Sequence, residues 1–207
     1  IISNAGLSAN VIDENQSVTL SFTLTDPSPR DTYTVRVDWQ DRGQFAEQTV
    51  AAGTHNLSFQ HTYPDDDPSG TPFDLKSIVI SVIDDDTGST SRALALRVNN
   101  LAPRDLDLGG NRAAVVDTQV PFTLAFTDPG PLDTHSLLWT VVDPFNNLQA
   151  TATGASPSFT LRPGVAGDWR VTAKVTDDDT GFAETTVTLT VVDGGSGTFR
   201  VVTRFKG

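Results

Sequence analysis

Apolar residues fall on every second position through most of this chain, and the alternation is written twice. Val18, Leu20, Phe22 and Leu24 are echoed by Val120, Phe122, Leu124 and Phe126. Tyr33, Val35, Val37 and Trp39 are echoed by His135, Leu137, Trp139 and Val141. Ile78, Ile80 and Val82 match Val171, Ala173 and Val175, and Leu94, Leu96 and Val98 match Val187, Leu189 and Val191. A period of two is the signature of half-buried strands. Thr, Val and Ser dominate these segments, Gly, Pro and Asp punctuate them, and no segment has a convincing helical period. The pattern predicts an all-β chain of two tandem β-sandwiches, each with about seven short strands.

Two turn motifs confirm the duplication. Asp26-Pro27-Ser28-Pro29-Arg30-Asp31-Thr32 recurs as Asp128-Pro129-Gly130-Pro131-Leu132-Asp133-Thr134, and Asp84-Asp85-Asp86-Thr87-Gly88 recurs as Asp177-Asp178-Asp179-Thr180-Gly181. The order is the same, but the first repeat is longer between the motifs; Pro64–Gly70 is the expected excess. The predicted division is a sandwich over 1–99, a second over 100–193, and a flexible exit or further strand over 194–207. Asn99-Asn100-Leu101-Ala102-Pro103 forms a short joint in which Pro103 forbids simple continuation of the ladder.

Composition narrows the function. A length of 207 residues suits two domains of about 100 each. With no Cys there are no disulfides, no thiol catalysis and no Cys-based zinc site. A formal charge of −12 repels nucleic acid and anionic membranes, and no apolar run approaches a bilayer span. The chain starts at Ile1 and contains no Met, so it is expected to be a segment of a longer protein, with any export signal outside it.

Several motifs together resemble the PKD (polycystic kidney disease) repeats of bacterial surface proteins and secreted hydrolases. They are the Asp-Pro-x-Pro-x-Asp-Thr loop, His61-Thr62-Tyr63, Val82-Ile83-Asp84-Asp85-Asp86-Thr87-Gly88 and the 99–103 joint. The family's Trp-Asp-Phe-Gly-Asp-Gly segment survives as Asp38-Trp39-Gln40-Asp41-Arg42-Gly43, and the second repeat is a degenerate member, with Phe159-Thr160-Leu161 in place of His-Thr-Tyr. Cadherin-like and other immunoglobulin-like relatives share the general pattern. The resemblance implies immunoglobulin-like sandwiches, an extracellular or cell-surface location, a spacer or adhesion role and, in some members, bound calcium.

In such a sandwich the two Asp-rich turns lie at one pole. Asp26, Asp31, Asp84 and Asp86 are expected to converge there, with Ser3 and Asn4 nearby; Asp128, Asp133, Asp177 and Asp179 are expected to face Asn99 and Asn100. These ten Asp and Asn residues of the turns and joint are the candidate metal ligands. Calcium suits a mixed set of carboxylate, amide and carbonyl oxygens, whereas magnesium wants a stricter octahedron and zinc prefers Cys or clustered His. The competing explanation is that Asp in a turn simply bonds nearby backbone N–H groups. No nucleophile elbow, phosphate loop or metalloprotease helix is present, and no catalytic residue is assigned. Trp39 and Trp139 are expected in the core, while Phe45, Phe145 and Phe182 are candidates for exposed contacts. The expected function is a non-catalytic spacer or adhesion module whose interdomain joint calcium stiffens; the alternative is an accessory glycan- or protein-binding module of a secreted hydrolase. The expected partners are other domains of the same large protein, and an extracellular protein or glycan, with no nucleic acid and no membrane insertion.

Overall fold

The structure is a computed structural model that describes residues 1–25 and 30–195. Asp26 and most of the predicted exit, residues 196–207, lie outside the described residues. Every described regular element is a strand, and no described helix is long and apolar enough to cross a membrane. In chain order the first repeat contributes β1 (Ile2–Leu7), β2 (Val11–Asp13), β3 (Gln16–Thr25), β4 (Tyr33–Asp38), β5 (Phe45–Val50), β6 (Thr54–Tyr63), β7 (Phe73–Asp84) and β8 (Ser89–Asn99). The second contributes β9 (Arg104–Asp107), β10 (Arg112–Val115), β11 (Val120–Thr123), β12 (Ala125–Thr127), β13 (Ser136–Val142), β14 (Leu148–Gly154), β15 (Ser158–Leu161), β16 (Gly167–Thr176) and β17 (Phe182–Val192).

The chain divides into two compact units. The first comprises Ile1–Arg104 together with two bends of the second repeat, Thr127–Ser136 and Thr176–Ala183. The second comprises Asp105–Phe126, Leu137–Val175 and the chain from Glu184.

In the first unit, a sheet of order β1-β3-β6 packs on one of order β2-β8-β7-β4-β5. The inward residues of the period-two segments meet between them: Val18, Leu20, Phe22 and Leu24 from β3, Val35 and Val37 from β4, Ile78 and Ile80 from β7. Each such side chain contributes about 1.5–3 kcal/mol by leaving water. Trp39 anchors one end. The His61 ring stacks on it at 5.1 Å, the Tyr63 ring meets His61 edge-on, and Tyr63 Oη donates to the Trp39 carbonyl at 2.8 Å. His61 Nε2 bonds buried Asp41 at 2.7 Å. His-Thr-Tyr is therefore a structural clasp around Trp39.

The second repeat has its own core, centred on Phe122, Trp139, Trp169, Val171 and Leu189, beneath a sheet of order β10-β17-β16-β13-β14. Phe45, Phe145 and Phe182 are exposed, as the turn-rich sequence around them suggests.

The two repeats superpose by register. Val18 pairs with His61 as Val120 pairs with Leu161, so the strand register sets Leu161-Arg162-Pro163, and not the expected Phe159-Thr160-Leu161, in the place of His-Thr-Tyr. Just before these strands, the amides of Asn15 and Asp117 bond the carbonyls of Tyr63 and Pro163, and those of Glu14 and Val116 bond Asn99 and Val192. Glu14 thus corresponds to Val116.

Candidate metal centre

The Asp-Asp-Asp-Thr-Gly bend closes on its own first carboxylate. Asp177 Oδ1 accepts from the Gly181 amide at 2.7 Å, and Asp84 Oδ1 accepts from the Gly88 amide at 2.6 Å. Thr180 and Thr87 both take φ of +76° to make the turn. A Cβ on Gly181 or Gly88 would strike the carboxylate of Asp177 or Asp84, so the sequence needs Gly at that step. The middle Asp ties the two bends together. In the first repeat Asp85 accepts from the Thr32 amide at 3.2 Å; in the second Asp178 accepts from the Thr134 amide at 2.9 Å and from Thr134 Oγ1 at 3.0 Å. Burial works upward on the Asp178 pKa, but the Thr134 donors outweigh it and hold the group below its ordinary value.

That arrangement leaves Asp177 and Asp179 buried in the first unit, at 5% exposure each. They stand among carboxylates from three other stretches of the chain. Glu14, Asp65 and Asp66 come from the first repeat at 1%, 6% and 0% exposure, and Asp128 and Asp133 come from the other second-repeat bend. Glu14 Oε1 accepts from the Leu101 amide at 2.7 Å, but its Oε2 meets no donor. Neither oxygen of Asp66 nor of Asp133 meets a donor, and the same holds for Asn100 Oδ1, although Asn100 Nδ2 donates to Asp177 at 3.1 Å. Asp65 is held by Arg42 at 2.6 Å, and Asp67 by the same guanidinium. Asp128 is bonded by His135 Nε2 at 2.7 Å.

A buried carboxylate normally collects donors. Asp143, 7% exposed, shows the contrast: it accepts from the amides of Phe145 and Asn147 and the side chains of Asn147 and Gln149, and those bonds lower its pKa against the effect of burial. The acidic site behaves oppositely. Burial first, then repulsion from Asp133, Asp128 and Asp66, pushes Glu14 up to about 8 despite the Leu101 amide. Burial and the facing carboxylate of Asp179 push Asp66 up to about 8, and burial with Asp128 and Asp65 raises Asp133 to about 7. Asp179 rises to about 6 by burial and repulsion from Asp65. Asp177 is raised by burial against the bonds from Asn100 and Gly181. Carboxylates aimed at one another without donors ask for protons or cations. All the donors are hard oxygens and one is a neutral amide, the set calcium takes at about 2.3–2.6 Å.

The candidate residues divide by position. Asn100, Asp128, Asp133, Asp177 and Asp179 stand at this site. Asn99 does not: its Nδ2 donates to Asp13 at 3.0 Å and its Oδ1 accepts from Arg97 at 2.7 Å, which turns it along the sheet. Asp84 lines a shallow hollow of about 180 Å³ with Ile1, Leu24, Tyr33 and Gly88. Asp31 is half-buried in the bend before β4 and Asp86 is exposed. Asp26 is outside the described residues. Ser3 and Asn4 bond Thr23 on the neighbouring strand instead. Glu14, Asp65 and Asp66 are additions to the sequence-based set. The run Asp65-Asp66-Asp67, confined to the longer first repeat, was the available signal.

These features define an immunoglobulin-like β-sandwich protein. No family model matches the chain, and no curated protein matches it either. Among solved structures it is similar to invasin, described as a bacterial integrin-binding protein, at 11% identity and a TM-score of 0.54, covering 93% of this chain and 39% of invasin. It also aligns with the fibronectin(III)-like modules of CbhA from Clostridium thermocellum, at 12% identity and a TM-score of 0.36, over 93% of this chain and 95% of theirs. The invasin likeness concerns the fold.

Proposed function

We propose that this chain is a non-catalytic spacer or adhesion module of a larger extracellular or cell-surface protein, built from PKD-type repeats. Calcium at the acidic site of the first unit holds the two second-repeat bends in place and so stiffens the joint between repeats. One observation carries this reading: Glu14 and Asp66, 1% and 0% exposed, aim oxygens that meet no donor into a cluster of like charge. Ionising such groups is costly without a counter-charge, and calcium supplies one in a form that also tethers loops. Mass action at a hundredfold excess over the dissociation constant stabilises the bound form by about 2.7 kcal/mol. The PKD assignment is supported by the His61 clasp on Trp39. The partners in this reading are neighbouring domains of the same protein and, on the adhesion side, an extracellular protein or glycan. An accessory binding module draws less support, because the Arg36 guanidinium covers the exposed Phe45 ring at 3.9 Å.

Small-angle scattering and titration calorimetry, in calcium and then in EGTA, test the proposal. Calcium is expected to bind with measurable heat and to narrow the distribution of interatomic distances. Superimposable scattering curves with no heat of binding would remove the reading.

A further inference from the structure

The number of ions follows from how the carboxylates share space, and this step rests on the calcium reading above. Three sets of side chains each bring one oxygen per residue within 4.8 Å of the others: Glu14, Asp65 and Asp66; Glu14, Asp128 and Asp133; Asp65, Asp133 and Asp179. Two ligands on opposite sides of one calcium are about 4.8 Å apart, so each set fits a single ion. Asp66 and Asp133 have no set in common, yet both carry carboxylates that meet no donor. One ion does not serve both. Glu14, Asp65 and Asp133 each belong to two sets, and a carboxylate with two oxygens is suited to bridging neighbouring ions.

Charge points the same way. The three sets contain six carboxylates, and the neighbouring guanidinium, Arg42, pairs with Asp65 and Asp67 at the rim. A single divalent ion together with Arg42 offsets three of those six charges and leaves the other three uncompensated. Its entry also fixes the bridging side chains, so a second ion meets a preformed site that is still negative.

We propose that the first unit binds a cluster of at least two calcium ions, bridged by Glu14, Asp65 and Asp133 and taken up cooperatively.

Native mass spectrometry and calorimetry with calcium chloride on the whole chain test this. The triple variant Asp31→Asn, Asp84→Asn, Asp86→Asn silences the other acidic bend while keeping an acceptor oxygen at each position. It is expected to retain two or more calcium ions with a Hill coefficient above one. Asp66→Asn and Asp133→Asn are each expected to lose at least one ion and to weaken the remainder at least tenfold. The difference in ion count between the wild type and the double variant Asp66→Asn, Asp133→Asn reports the same number without the triple variant. A single calcium with a hyperbolic isotherm overturns the cluster and leaves the calcium reading standing. No calcium at all overturns both.

Discussion

Glu14→Gln removes one charge from the acidic site while keeping the Oε1 acceptor that holds the Leu101 amide at 2.7 Å. Its effect should reverse sign with calcium. In the cation-free protein the Glu14 carboxyl is pushed from 4.5 up to about 8, mainly by burial. Below the ordinary carboxyl range both folded and unfolded chains hold the proton, and the group costs nothing. As pH rises from 4.5 towards 8 the unfolded chain ionises first, so stability drains away and the loss is complete above the folded value. At about 1.4 kcal/mol for each unit of pKa difference, the loss by pH 8 is on the order of 4 kcal/mol. Glu14→Gln should therefore stabilise the EGTA-treated chain at pH 8 by about 1–4 kcal/mol and change it little at pH 4.5. In saturating calcium the same variant loses a ligand and should be the less stable protein. Denaturant unfolding, followed by tryptophan fluorescence at both pH values with and without calcium, makes the comparison. Equal destabilisation in all four conditions would refute the reasoning, because it would mean that Glu14 serves only the Leu101 amide.

Three further outcomes are expected. Gly181→Ala should destabilise the protein by about 1–3 kcal/mol and weaken calcium binding, because the new Cβ strikes Asp177 and lies 2.9 Å from Ala102 Cα and Asn100 Nδ2; Gly164→Ala, with nothing within 4 Å, should leave the thermal midpoint unchanged. Asp143→Ala should lower the denaturant unfolding midpoint by stranding the donors around it, with calcium titration unaffected. His61→Leu should destabilise the protein by about 1–3 kcal/mol in the same unfolding assay, since buried Asp41 loses its partner, while calorimetry shows the same calcium stoichiometry.

The sandwich was legible because its cause is local. Val18, Leu20, Phe22 and Leu24 alternate in the sequence for the same reason they are buried in the structure. The meeting of the two bends was legible because Asp178 and Thr134 repeat Asp85 and Thr32. Glu14, Asp65 and Asp66 were hidden because their part in the acidic site is long-range. Glu14 follows a three-residue strand too short to show a period, and its role depends on Leu101, far along the chain. Asp65 and Asp66 sit in the stretch that the second repeat lacks, so comparing the repeats marks them as an insertion rather than as ligands. Asn99 and Asn100 are neighbours of one residue type, but Asn99, the last residue of β8, donates to Asp13, while Asn100, just past the strand, donates to Asp177.

The register that sets Glu14 opposite Val116 gives the tandem a direction. Asp177 and Asp179 of the second repeat meet Glu14, Asp65 and Asp66 of the first, whereas the second repeat has Val116 where the first has Glu14 and lacks the Asp65-Asp66-Asp67 run. A recombinant with the repeats exchanged in order would offer its aspartates Val116 in place of Glu14, a side chain with nothing to hold a divalent ion. The two copies are not interchangeable at the acidic site.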